Sequence, residues 1–442
     1  MQSRRDHLQA YQFSVGRLVR AVAAGDSTAA DTPFRRANLG VIAGTVLAAL
    51  LGGGCVLYGL ISPAASSAWR TPGTIIVEKE TGTRFLLVNG QLRPTANYAS
   101  ALLAVGQKAS VQYVSSSTLS GLPVGAPIGI AGAPDELPTT LSAGVWSLCL
   151  RPDGETVLDV APVGPVGTSL GAQRALVSST DEANPAEYLV IGSVKYPLPT
   201  PAVLTALGLG DQQPIPAAPA WLDALPTGPA VAAAKIPGAG TPGPAIGGHP
   251  AQVGALFSTD ADGVLQYYVL LPDGLSPITL TEAALFAVAG APQPVQESPS
   301  AIATAPLSAN RSLLTRLPNL LSGSVVSSGT LCVTQHSPGS AADSQVVVAT
   351  ATPSASAPSV VVPPHQGMLV QPPGGNATTP APEYLITDTG EKYLVSDSDA
   401  LDALGYSNAT ADVMPKNIID LIPSGPELDV SAARESAAWP SG

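Results

Sequence analysis

The residues best suited to chemistry in this 442-residue chain are few and poorly matched to one another. Gly167-Thr168-Ser169-Leu170-Gly171 has the letters of a nucleophile elbow, where a strained strand-to-helix turn lifts a serine hydroxyl toward a base. Here it follows Pro162 and Pro165, which reads as a loop, and only His249, His336 and His365 lie far enough along the chain to serve as bases. Gly238-Ala239-Gly240-Thr241-Pro242-Gly243 has the letters of a dinucleotide fingerprint, but Pro242 stands where the phosphate-binding helix should start and Pro237 and Pro244 flank it, so this too reads as a loop. No G-x-x-x-x-G-K-[ST] phosphate loop occurs, and two separated cysteines with scattered histidines give no ligand pair at zinc spacing. The expectation is no catalytic, cofactor-binding or metal-binding residues, no cofactor and no enzymatic activity, with an envelope ATPase or cell-wall hydrolase as the alternative.

Composition explains what such a chain can build. Hydrophobic residues make up 45%, charged residues 12%, and 44 Gly with 44 Pro point to many turns and few long helices. The net charge of −12 is uneven: residues 1–36 carry six Arg against three Asp, leaving 14 basic and 29 acidic residues beyond. An acidic body offers no phosphate-binding face, which excludes nucleic acid as a partner.

From Ala37 to Ser62 the chain has no charge, and the 23 residues Leu39 to Ile61 would give about 35 Å of helix, enough to span a bilayer. Arg17, Arg20, Arg35 and Arg36 precede this span and the next basic residue is Arg70, so the positive-inside bias puts the N-terminus in the cytoplasm and the residues beyond the span on the outer side of the membrane. A 23-residue apolar core is too long for a cleaved signal peptide. Cys55 lies within the apolar run and reads as a thiol facing lipid or a neighbouring helix. Ahead of the span, Leu8, Tyr11, Val15, Leu18, Val19 and Val22 recur at helical spacing among arginines, predicting an amphipathic helix for membrane lipid or a cytosolic partner.

Beyond the membrane one pattern recurs four times: an aromatic-led strand, a turn, a second strand, a short helix and a closing proline. Phe85, Tyr188 and Tyr268 precede Pro123, Pro226 and Pro306 by 38 residues, and Tyr384 precedes Pro423 by 39. Turn pairs such as Asn89-Gly90 and Asp273-Gly274, with helix-ending Gly106, Gly208, Gly290 and Gly405, predict ββα-type units. Such small units bury too little surface alone and must share a body. The segments with Trp146 to Cys149 and with Leu331 to Val333 look like the two halves of a split β-rich central domain. In an exported domain, the two lone cysteines Cys149 and Cys332 read as one disulfide, closing a long loop worth about 5 kcal/mol in the chain-entropy estimate.

The predicted fold class is therefore α+β: an amphipathic helix, one transmembrane helix, and four ββα-type repeats around a split central domain. The predicted segments are 1–36 cytoplasmic, 37–63 transmembrane, 74–134 first repeat, 135–187 first half of the central domain and 188–235 second repeat. Then come 255–318 third repeat, 319–363 second half of the central domain, 383–432 fourth repeat and a tail at 433–442, mobile from Arg434 to Gly442, with Ser337 to Pro353 and Pro372 to Pro382 as loops.

Several strings together resemble the EccB family of type VII (ESX) secretion: Gly59-Leu60-Ile61-Ser62-Pro63, Trp69-Arg70-Thr71-Pro72-Gly73, Glu78 to Phe85, Asn97-Tyr98-Ala99-Ser100-Ala101 and Gly129 to Asp135. The resemblance continues through Trp146-Ser147-Leu148-Cys149 and Leu331-Cys332 to the last repeat, although the early helix around His7 to Phe13 is less basic than the family pattern. It implies a subunit of an inner-membrane translocon that associates with other copies of itself. The other partners it implies are the FtsK/SpoIIIE-like ATPase EccC, EccD, EccE and the mycosin protease.

Overall fold

The computed structural model describes residues 4–25, 33–61, 67–106, 108–162, 164–326, 328–335, 344–354, 356, 359–375 and 380–436. It forms two units, Met1–Trp69 and Arg70–Gly442. The predicted positions His336, Ser337 to Ala342 and the end of the tail from Ala437 lie outside the described residues.

In the first unit a helix runs over Arg4–Ala24, with Leu8, Tyr11, Leu18, Val19 and Val22 all exposed. A second helix, Pro33–Ile61, opens on a proline, which a first helical turn tolerates because its N–H groups have no partner there. Within it Asn38–Leu57 is long and apolar enough to cross a membrane, and Leu39, Val41, Ile42, Leu47 and Leu51 are exposed around its surface. A helix apolar all round suits hydrocarbon rather than a half-wet protein surface.

In the second unit, four sheets share one strand order among the described residues. In each, a leading strand pairs antiparallel with the aromatic-bearing strand, which pairs antiparallel with the next, while the leading strand's other edge takes a parallel strand arriving after the helix. The leading strands are Thr74–Glu78, Arg174–Ser179, Leu256–Ala261 and Gln366–Gln371, and the following helices are Tyr98–Val105, Pro201–Ala206, Leu280–Val288 and Ser398–Leu404. The sheets thus exceed the ββα expectation by a strand at each end. Leading strands such as Ala175-Leu176-Val177 and Met368-Leu369-Val370 are buried on both faces, so they lack the alternation that marks a half-exposed strand. Arg174–Ser179 lies inside the stretch expected to belong to the central domain, and Gln366–Gln371 lies ahead of the expected fourth repeat.

The recurrent aromatic-to-proline distance has a backbone cause. Phe85, Tyr188, Tyr268 and Tyr384 face Ile76, Val177, Phe257 and Val370 across the leading pair. The carbonyls of Pro123, Pro226, Pro306 and Pro423 accept from the third-strand N–H groups of Leu92, Lys195, Leu275 and Lys392 at 2.9, 3.0, 2.7 and 2.8 Å. The residue two beyond each proline donates back to that strand, at Gly125, Gly228, Ser308 and Gly425. Gly228 and Gly425 sit so close against the rings of Tyr196 and Tyr393 that a Cβ would collide with them.

The central six-stranded sheet joins distant segments in the order Val360–Val361, Thr156–Val160, Trp146–Leu150, Leu331–Gln335, Ser344–Ala349, Gly167–Ser169. Two short strands cross between halves: Thr140–Leu141 lies parallel to Gln366-Gly367, and Val325–Val326 lies parallel to Arg174-Ala175. The cores follow this exchange. Leu148, Leu331, Ala175, Val177, Met368, Val370, Trp221 and Ile418 form one cluster, so the second and fourth sheets pack with the central one. The first sheet shares a core with the fourth through Leu103, Leu369, Leu385 and Ala403, while Leu176, Leu189 and Leu285 join the second and third. The tail begins packed: Ala433 is buried, Arg434 Nε donates to Ala104 O at 2.9 Å, and Ser436 bridges to Ile128.

One ion pair fastens the second sheet's outgoing chain to the third. Arg316 donates to the fully buried Glu282 carboxylate at 2.7 and 2.8 Å and to Ala232 O at 2.7 Å. Arg316→Ala strands a buried charge and is expected to cost about 3 to 5 kcal/mol, whereas Arg316→Met with Glu282→Leu should recover most of it. Urea denaturation of the full chain in detergent measures both.

Burial pushes Tyr393 up to about 12 and also raises Tyr406, whose hydroxyl donates to Pro138 O at 2.8 Å. Because the folded values lie above the ordinary 10.0, these contributions are fully present below pH 10.0 and are lost as pH climbs toward 12. The denaturation midpoint should fall across that window, and less steeply in Tyr406→Phe.

Candidate functional site

The disulfide forms at the centre of the second unit. Cys149 and Cys332 are directly opposed across the middle strands of the central sheet, with Cα atoms 4.0 Å apart and their sulfurs bonded. Alternation along each strand sends Leu148, Leu150, Leu331 and Val333 to the main core and the cysteines to the other face, against Val347 and Val166. Beside them runs a groove of about 410 Å³ lined by Cys149, Val157, Asp159 and Pro165. Burial raises the Asp159 carboxyl above its ordinary value.

Ser169 is the last residue of the edge strand Gly167–Ser169, exposed and paired with Val347. That is an edge of a sheet and not a strand-to-helix turn. Pro242 starts the strand Pro242–Ile246, which forms a hairpin with His249–Gln252, so the fingerprint letters lead into a strand where a phosphate-binding helix is required. His249 is exposed on that hairpin, and His365 stands in a turn at φ 60° far along the chain.

The fold also joins groups that spacing could not connect. Glu136, His365 and Asp388 place their ligand atoms within 4.8 Å of one another at the surface. The Asp388 carboxylate already accepts from the His365 backbone N–H at 2.7 Å, so it holds the turn. Lys195 and Lys392, at matching positions of the second and fourth sheets, donate to the helix-end carbonyls of Leu222 and Ile419. Burial lowers both ammonium pKa values, with Asp223 opposing at Lys195 and Asp420 at Lys392. Arg174 likewise serves carbonyls, those of Leu207, Leu320 and Gly323 at 3.1, 2.7 and 3.2 Å. A helical or strand pattern shows a lysine or arginine as polar and exposed, so nothing in the sequence marks these as buried carbonyl caps.

On the third sheet, Leu265, Tyr267, Tyr268, Ile278, Leu280 and Leu314 line an apolar groove of about 430 Å³. Leu265 and Leu280 there, and Val264 beside them in the chain, are more than half exposed.

The family described as "Type VII secretion system ESX-1, transport TM domain B", EccB, matches residues 1–438. The chain belongs to the EccB family. It is 28% identical to the ESX-3 secretion system ATPase EccB3 of Mycolicibacterium smegmatis over 466 residues, covering 96% of this chain and 89% of that one. It is also 28% identical to the ESX-5 secretion system ATPase EccB5 of Mycobacterium tuberculosis over 484 residues, covering 96% and 92%. Its fold is similar to a chain of an intact ESX-5 inner membrane complex, with TM-score 0.67 and 25% identity over 100% of this chain and 97% of that one. A similar likeness extends to the EccB3 dimer from the ESX-3 core complex, with TM-score 0.65 and 26% identity over 81% and 99%. This EccB-family chain is thus a mixed α+β protein with one apolar N-terminal helix able to cross a membrane.

Removing the disulfide should weaken the second unit, since it closes a separation of 183 residues. The Cys149→Ser/Cys332→Ser double variant is expected to lose about 2 to 5 kcal/mol. Thermal melts with and without reductant should show the same loss in the parent chain and none in the variant.

Proposed function

We propose that this chain is a non-enzymatic assembly subunit of a type VII secretion inner-membrane translocon. The family match over residues 1–438, with the likeness of the whole chain to a subunit of an ESX-5 inner membrane complex, carries this reading. The helix Pro33–Ile61 anchors it, with Arg35 and Arg36 on the cytoplasmic side and the body from Arg70 in the periplasm. The body acts as four repeats around a split central domain, and its surfaces contact further copies, EccC, EccD, EccE and the mycosin protease. The dimer described for EccB3 supports self-association.

The relatives' names favour one second reading, nucleotide hydrolysis. Gentle detergent extraction of native membranes and capture on this chain should recover the FtsK-like ATPase and multi-span subunits in one large particle. A lone monomer or dimer would sink the translocon reading. The purified full chain should turn over no ATP above a Ser169→Ala control; sustained turnover would favour the enzyme.

A further inference from the structure

We propose that Cys149 is the cysteine that first meets the oxidant that makes the central disulfide, a donor disulfide that reaches it along the groove on the cysteine-bearing face of the central sheet. The two cysteines are not equivalent. Cys332 is 0% exposed, while Cys149 is 8% exposed and forms part of the groove wall with Val157, Asp159, Pro162 and Pro165. Ser147, two residues earlier on the same strand, also lines the groove, and its Oγ lies 3.9 Å from Cys149 Sγ. Thiol–disulfide exchange needs a sulfur that the partner disulfide can approach, so access decides which cysteine reacts first.

In the first step the Cys149 thiolate attacks a sulfur of the donor, forming a mixed disulfide and releasing one donor thiolate. In the second, the Cys332 thiolate attacks Cys149 Sγ, forming the Cys149–Cys332 bond and releasing the second donor thiolate. Two electrons pass from the cysteine pair to the donor, and the two thiol protons leave to solvent or to the released thiolates. Strand register performs the positioning: pairing of Val333 with Leu148 and Thr334 with Ser147 brings Cys332 directly opposite Cys149. Cys332 is therefore the resolving residue, delivered from within the sheet where no external disulfide reaches it.

The test uses the full chain in detergent, reduced, with Cys55→Ala removing the exposed third thiol. Glutathione disulfide is the probe and intact mass the readout. The Cys332→Ser variant should take up glutathione roughly tenfold or more faster than Cys149→Ser, and the two should react alike in urea. Peptide mapping of the first glutathione adduct on the chain that keeps both cysteines asks the same question without either serine, and should place it on Cys149. Equal native rates, faster reaction at Cys332, or a first adduct on Cys332 would overturn the proposal.

Discussion

The unit from Arg70 onward depends on one antiparallel pairing, Trp146–Leu150 against Leu331–Gln335. Both strands are buried along their whole length, so they supply the floor of the main core and the middle of the central sheet. Bringing them together closes a loop that contains the complete second and third sheets and the Pro242–Ile246/His249–Gln252 hairpin, an entropic cost that local contacts cannot offset until both halves are present. The disulfide between Cys149 and Cys332 removes much of that cost by restricting the unfolded chain at this very register.

The strand exchange follows from the same pairing. Thr140–Leu141, just ahead of the first central strand, extends the fourth sheet, and Val325–Val326, just ahead of its partner, extends the second. Each half of the chain thus completes a sheet of the other. Modules of this size bury little apolar surface alone, and the cores show the remedy: the first sheet leans on the fourth and the third on the second, with the central sheet between those two inner members.

The charged side chains inside this unit serve the backbone. Lys195, Lys392 and Arg174 cap carbonyls, and Arg316 neutralises Glu282 while tying down the linker before the third sheet. Buried charge used in this way holds element to element. That distribution suits a family whose solved relatives are subunits of a membrane complex.

The sequence by itself determined the helix long and apolar enough to cross a membrane, because its uncharged run is of bilayer length, and the family, because several motifs coincide along the chain. It also revealed the recurrence, since the aromatic and the proline are tied through one sheet and their spacing cannot drift without breaking its hydrogen bonds. Tertiary structure alone decided the leading strands, the strand exchange and the buried cationic caps. Those depend on partners up to hundreds of residues away: Thr140 meets Gln366, and nothing within either neighbourhood announces the other. Cys149 and Cys332 could be paired by elimination, but that Cys149 lines a groove while Cys332 is fully buried comes only from the tertiary structure.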